Sequence, residues 1–249
     1  MLKLTRRQRE LIQREELILN VTRDLLLDLG YHGLTMDRIA EAMEYSKGTI
    51  YQHFPCKEEV LTELGTRILQ KRLAMFEWAA QFEGRTRERM VAIGEAGEIF
   101  VRLHPDDFRI LQIIKAEVIT RKVSEERLAK MKDAEYRVLI LINGIIREAI
   151  EQGDLVLSPG RRVEEMSFGL WAVTDGGYGN IVRGMSLDEI GIRDPFRSVM
   201  NVCEVLGDGY GWKPLTSEWD YEATRERVRL TLFAEETRDL EQRNLEKYG

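Results

Sequence analysis

The stretch Ser46–Phe54 (SKGTIYQHF), with a further lysine at Lys57, gathers hydrogen-bonding and cationic side chains around one glycine. Placed on a helix at 100° per residue, Ile50 and Phe54 point one way. Gly48, Thr49 and Gln52 point roughly the opposite way, with Lys47 and Tyr51 on one flank and His53 on the other. Such a face fits the ~12 Å major groove of B-DNA, where Gln and Thr can hydrogen-bond base edges. Lys47, Tyr51, His53 and Lys57 would then stand beside phosphates. Gly48 costs the helix up to ~1 kcal/mol, but without a Cβ the helix start can approach DNA closely and offer backbone N–H groups. The spacing alone fits a buried helical corner with an incidental His and Lys equally well.

A second set of residues has the chemistry of a ligand pocket. Phe100, His104, Phe108, Gln112, Asn143, Trp171 and Tyr178 combine large apolar walls with a few polar groups, on helices between 57 and 184. Asn143 interrupts the apolar run LILINGII, so once buried it needs a partner. Ordinary core packing is the other reading of each. No catalytic residues are assigned: there is no Gly-rich phosphate loop, no H-E-x-x-H and no nucleophile–base–acid constellation. His32, His53 and His104 share no ligand spacing with each other or with a cysteine, so no metal site and no cofactor is expected.

The 249 residues suffice for one large domain or a small one joined to a larger one, and 43% hydrophobic with 32% charged is an ordinary globular balance. The longest aliphatic run, Val138–Ile142, falls far short of the ~20 residues a membrane span needs. The opening MLKLTRRQRELIQ has no apolar stretch after its charges, so a cytoplasmic location is expected, without membrane contact. Cys56 and Cys203 lie far apart and read as two reduced thiols. A net charge of −6 argues against coating nucleic acid by bulk attraction. Residues 1–60 hold 9 Lys/Arg against 10 Asp/Glu, so net −1, and the other 189 hold 28 against 33, so net −5. Within the first segment the signs separate, with Lys3, Arg6, Arg7 and Arg9 forming a basic arm.

The elements that must position these groups are helices, because almost every long segment has helical period and none alternates like a strand. The pattern predicts helices at about 10–29, 35–43, 46–53, 57–82, 86–103, 106–121, 125–152, 162–184 and 195–207, plus one near 219–246. Leu17, Val21, Leu25 and Leu29 give the first an inward stripe, and Gly30 stops it. Thr35 and Ser46 are N-caps, each inside a hydrophobic staple: Leu34 with Ile39, and Tyr45 with Ile50. Only Glu44 and Tyr45 join the two capped helices, the connection of a helix-turn-helix.

The run GYHGLTMDRIAEA (30–42), then SKGTIYQHF (46–54) and KEEVL (57–61), resembles the N-terminal domain of TetR-family transcriptional regulators, almost continuously over about 15–65. The resemblance implies a homodimeric repressor whose third helix enters the major groove. It also implies DNA contacts from Thr35, Lys47, Gly48, Thr49, Tyr51, His53 and Lys57, with Gln52 the most individual base reader and the cap Ser46 counted with them. Two departures stand out. Glu44 replaces a glycine common in the family's turn, which places it at positive φ, and Tyr45 replaces a smaller apolar residue.

The expected fold is therefore all-α: an N-terminal three-helix helix-turn-helix DNA-binding domain (1–60), a larger helical ligand-binding and dimerisation domain (61–211) and a helical C-terminal extension (212–249). In the extension Tyr221, Val228, Leu232, Phe233 and Leu240 form a thin apolar stripe that docks on its own dimer or partner subunit. Gly176, Gly177 and Gly179 read as a place where two helices approach closely, and the resemblance makes 162–184 and 195–207 the four-helix dimer interface. A bulky residue at Gly177 is then expected to favour monomer. The function expected is a repressor released from a palindromic double-stranded operator by an unknown small-molecule effector, its reading heads ~34 Å apart. The alternative is a DNA-binding dimer controlled by a protein partner without an inducer.

Overall fold

A computed structural model describes residues 5–116 and 122–248; Lys3 and the expected helical residues 117–121 lie outside them. The described residues form helices and no strands: α1 (Arg6–Gly33), α2 (Met36–Ala42), α3 (Lys47–Tyr51), α4 (Lys57–Ala79), α5 (Thr86–Leu103), α6 (Pro105–Ala116), α7 (Glu125–Glu151), α8 (Val163–Val182), α9 (Pro195–Gly209), α10 (Tyr221–Thr231) and α11 (Ala234–Tyr248). The chain divides into two compact units. The first takes the chain to Gln70 together with Arg109–Ala134; the second takes Lys71–Phe108 and everything from Glu135 onward. This differs from the division at 60/61 and 211/212, because α4, α6 and α7 each supply residues to both units.

In the first unit α1 opens on a capping box, Thr5 Oγ1 accepting from the Gln8 N–H while the Gln8 side chain accepts from the Thr5 N–H. Its buried stripe is Ile18, Thr22 and Leu26, beside Leu19, whereas Leu17 and Leu29 are exposed. The expected stripe is thus one position off. The reason is a polar residue: Thr22 takes an inward place that hydropathy assigns to Val21. At Gly30 the backbone swings to φ 68°, ψ 177° and breaks the helix, and the Leu34 N–H closes the turn on the Gly30 carbonyl at 3.1 Å.

Ion pairs tie this unit together across long sequence separations. Arg67 bridges Glu15 and Glu63, each at 3.0 Å, and Glu16. Arg127 reaches Glu59 at 2.9 Å and Glu63 at 2.5 Å, with its guanidinium over the Phe54 ring. Three carboxylates on Arg67 and two on Arg127, with Glu63 shared between them, fix α1 and the start of α7 against α4.

The second unit is built around α5, most of whose residues are buried. Ile93, Ala96 and Ile99 of α5 share one core with Leu73, Phe82, Ile146, Trp212, Val228 and Phe233. The C-terminal segment therefore docks on its own subunit. Instead of one helix near 219–246 it forms α10 and α11, broken at Leu232–Phe233, and the break sends Phe233 into the core with 1% exposure. Polar latches hold it there. Arg229 pairs with Glu95 at 2.5 Å, Arg227 with Glu88 at 2.8 Å, and Trp78 Nε1 donates to the Leu232 carbonyl at 3.0 Å. Buried Arg87 donates to the carbonyls of Trp212 (2.5 Å), Pro214 (2.7 Å) and Glu204 (3.0 Å).

Helix α8 runs through Gly176, Gly177 and Gly179 without a break. A Cβ at Gly177 would overlap the Val199 side chain of α9, so the close approach Gly177 permits is made within one chain, whereas Gly176 faces open space. A bulky side chain at Gly177 would therefore disturb α8 against α9 within the chain itself.

Candidate DNA-binding face and candidate ligand cavity

The two caps form as their residue types dictate. Thr35 Oγ1 accepts from the Arg38 N–H and Ser46 Oγ from the Thr49 N–H, each at 3.2 Å. Between them Glu44 takes φ 55°, the single non-glycine residue at positive φ among the described residues, and the Tyr45 N–H reaches the Ala40 carbonyl at 3.0 Å. That left-handed residue reverses the chain in two steps and sets α3 across α2. Ile39, Ile50 and Phe54 are fully buried beneath it.

Helix α3 is shorter than expected, Lys47–Tyr51, with Gln52 as its C-cap. Outward lie Ser46, Lys47, Gly48, Tyr51 and Gln52, all exposed, and Thr49, half-buried with its hydroxyl 2.8 Å from Ser46 Oγ. A Cβ added at Gly48 would meet nothing nearer than Ser46 Oγ at 3.8 Å. Nothing inside the protein requires a glycine there.

The charged residues of the face are already engaged. Lys47 Nζ lies 2.6 Å from Asp37 Oδ2, and that hydrogen bond and charge hold its pKa above the usual lysine value. Lys57 Nζ donates to the carbonyls of Tyr31 (2.7 Å) and Leu34 (3.1 Å) and sits 3.9 Å from the Tyr31 ring centre. It thereby pins the turn after Gly30 to the start of α4. The Nε2 of His53 is buried without a hydrogen-bond partner; burial, with help from the Arg14 charge, pulls the His53 pKa down. His53 is therefore neutral at pH 7. Neither the Asp37 counter-ion nor the carbonyl clamp on Lys57 has a signal in the local sequence pattern.

The second unit encloses a cavity of about 110 Å³, walled by Phe76, Val138, Ile142, Met166 and Leu170 among others. Of the expected pocket residues it takes Phe108, Trp171 and Tyr178. Phe100 is fully buried and does not line it, and His104 is the C-cap of α5, its ring 5.6 Å from that of Phe100. Gln112 belongs to the first unit. Asn143 Oδ1 is buried without a partner, and Asn143 does not line the cavity. The sequence reading missed the polar part of the wall: Arg72, Arg87, Asp175 and Glu204. Cys203 also lines it, its thiol pushed up to about 12 by burial, so it is a packing group and not a nucleophile.

Comparison with known proteins agrees with this architecture. The family described as bacterial regulatory proteins, tetR family, matches residues 18–64. The uncharacterized HTH-type transcriptional regulator YhgD of Bacillus subtilis (strain 168) is 32% identical over 146 residues, 57% of this chain and 72% of that protein. A bacterial regulatory protein in the tetR family from Rhodococcus RHA1 superposes with a TM-score of 0.61 at 18% identity, covering 80% of this chain and 97% of the other. The transcriptional regulator FadR of Bacillus subtilis, solved with stearoyl-CoA, superposes at 0.62 and 18% identity, covering 78% and 98%. With a capped helix-turn-helix head and a second, wholly helical unit, this chain belongs to the TetR family of DNA-binding transcriptional regulators.

Proposed function

We propose that the protein is a homodimeric repressor that holds a palindromic operator until a small molecule enters the cavity of the second unit. The observation that carries the reading is the open face of α3: Lys47, Thr49, Tyr51 and Gln52 surround a glycine that no contact within the protein demands. In the proposed complex Gln52 and Thr49 read base edges, backbone N–H groups at the α3 start meet a phosphate, and Lys47 and Tyr51 flank the groove. Lys57, already clamped, acts by holding α4 against the turn after α1, and Thr35, Ser46 and His53 frame the face. Pairing through α8 and α9 is supported by Phe168, Val202 and Val205, large apolar side chains left exposed there. A two-fold dimer with its reading helices ~34 Å apart demands two inverted half-sites. A protein of the same fold, FadR of Bacillus subtilis, was solved with stearoyl-CoA, which supports the cavity as an effector site.

The test is operator selection from random DNA, then fluorescence anisotropy on the selected duplex with a metabolite library. A palindromic consensus and release by at least one compound are expected. Gly97→Leu, whose side chain would grow into the cavity past Phe76 and Tyr178, should leave operator affinity intact and abolish release. A non-palindromic site, or release that survives Gly97→Leu, overturns the reading.

A further inference from the structure

The cavity wall contains a charge that the protein does not neutralise by contact. Arg72, on α4, is 7% exposed and lines the cavity, and its Nε is buried without a hydrogen-bond partner. Its guanidinium carbon lies 5.8 Å from the Phe76 ring centre, and Asp175 and Glu135 act on it through space. Arginine keeps its proton even so, and a buried cation without bonded partners is among the costliest groups a core can hold. The other buried arginines differ in having anionic or carbonyl partners: Arg87 holds three carbonyls and Asp208, and Arg225, whose Nε is also unpartnered, holds Glu204 and Glu222. Tyr178 adds a second unsatisfied group. It is 4% exposed on the same wall, and its hydroxyl donates only to the Met200 sulfur at 3.6 Å, a weak acceptor.

We infer that the effector is a compact apolar monocarboxylate whose carboxylate is received by Arg72, with Tyr178 a further donor in the wall. This rests on the reading of the cavity as the effector site. Of the two arginines in the wall, Arg87 is already taken up by carbonyls and Asp208, which leaves Arg72 alone to receive an anion and suits a single negative charge better than a phosphate dianion. The size also points to a small body, since the cavity is of the order of the roughly 150 Å³ hole that accepts benzene in an engineered core.

The experiment is calorimetric titration of the full-length protein with benzoate, phenylacetate, hexanoate and octanoate, each beside its neutral alcohol. At least one acid should bind the wild-type chain ten-fold or more tighter than its alcohol. Arg72→Met should remove that preference while leaving the alcohol's affinity within two-fold. The same variant should melt no lower than wild type, because it deletes a buried charge that has no bonded partner. Arg72→Lys keeps the charge without the planar fork and should weaken the acid several-fold. Equal binding of acid and alcohol to the wild-type chain overturns the proposal whatever the variants do, and leaves the cavity as an effector site for neutral compounds. Binding of none of the eight also overturns it, and the cavity reading is then judged by the response of Gly97→Leu to the library.

Discussion

Two glycines inside helices separate the two units of this protein. A Cβ on Gly48 in α3 would enter open space, whereas one on Gly177 in α8 would overlap Val199. Both positions give up helix propensity, by up to ~1 kcal/mol. In α8 the return is visible inside the chain, as α8 and α9 close on each other. In α3 there is no internal return, so the surface is shaped for something outside. The contrast extends to charge. In the second unit Arg87, Arg225, Arg227 and Arg229 are spent on internal carbonyls and carboxylates. On the α3 face Lys47 holds only the exposed Asp37.

The largest effect should come from Gly177→Leu. Forcing a side chain into the α8–α9 contact costs about 3 kcal/mol and lowers Tm on the order of 10 °C. Gly176→Leu, one residue earlier in open space, is the control and should leave Tm nearly unchanged in scanning calorimetry. Equal losses from both would erase the distinction between packed and open glycines.

Next in size is a pH effect confined to the second unit. Burial and the neighbouring Glu98 outweigh the Arg229 guanidinium 2.5 Å away and push the Glu95 carboxyl up to about 7. The folded chain therefore holds a proton that the unfolded chain releases near pH 4.5. Stability contributed by that proton is present below about pH 4.5 and falls as pH rises toward 7, by roughly 2 kcal/mol. Denaturant titrations across that range should show the fall, and Glu95→Gln should flatten it. An identical slope in the variant would place the titrating group elsewhere.

How much of this was legible in the sequence follows the same division. The head declares itself locally: Thr35 and Ser46 cap their helices and Gly30 breaks α1, while the left-handed turn at Glu44 was foretold by the family resemblance. Each depends on neighbours within about five residues. The buried stripe of α1 was misread by one position because Thr22 faces inward, a choice made by what packs against it. The cavity was legible in its aromatics, Phe108, Trp171 and Tyr178, and not in Arg72 or Arg87. An arginine on an amphipathic helix looks like solvated surface. What buries Arg87 is the Trp212 carbonyl, 125 residues away. The break at Leu232–Phe233 was hidden for a similar reason: nothing local stops the helix, and the core that admits Phe233 is built from other elements.

Gly48→Ala tests the outer half of the contrast. Protein stability should hold or rise by up to ~1 kcal/mol, because alanine is the better helix former. Operator affinity should nevertheless fall about ten-fold, near 1.4 kcal/mol, as the new methyl holds the α3 start off the duplex. A gain in stability with unchanged anisotropy titrations would leave Gly48 without a function.

The smallest effect has opposite signs in stability and binding. Asp37 lies in the first turn of α2, where a carboxylate stabilises the helix by roughly 0.5 kcal/mol, and it also holds Lys47 at 2.6 Å. Both side chains are more than half exposed, so the pair itself is worth little. For DNA, however, Asp37 is a double obstacle, occupying the lysine and repelling the phosphate that would replace it. Asp37→Asn should lower stability by a few tenths of a kcal/mol yet tighten operator binding about three-fold at low salt, an advantage that shrinks as salt screens the charges. The lysine's part can be isolated. If freeing Lys47 is the cause, Asp37→Asn should gain much less in a Lys47→Ala background, and a double-mutant cycle measures the difference. A three-fold gain that persists without Lys47 would assign the whole effect to repulsion and remove Lys47 from the phosphate contacts.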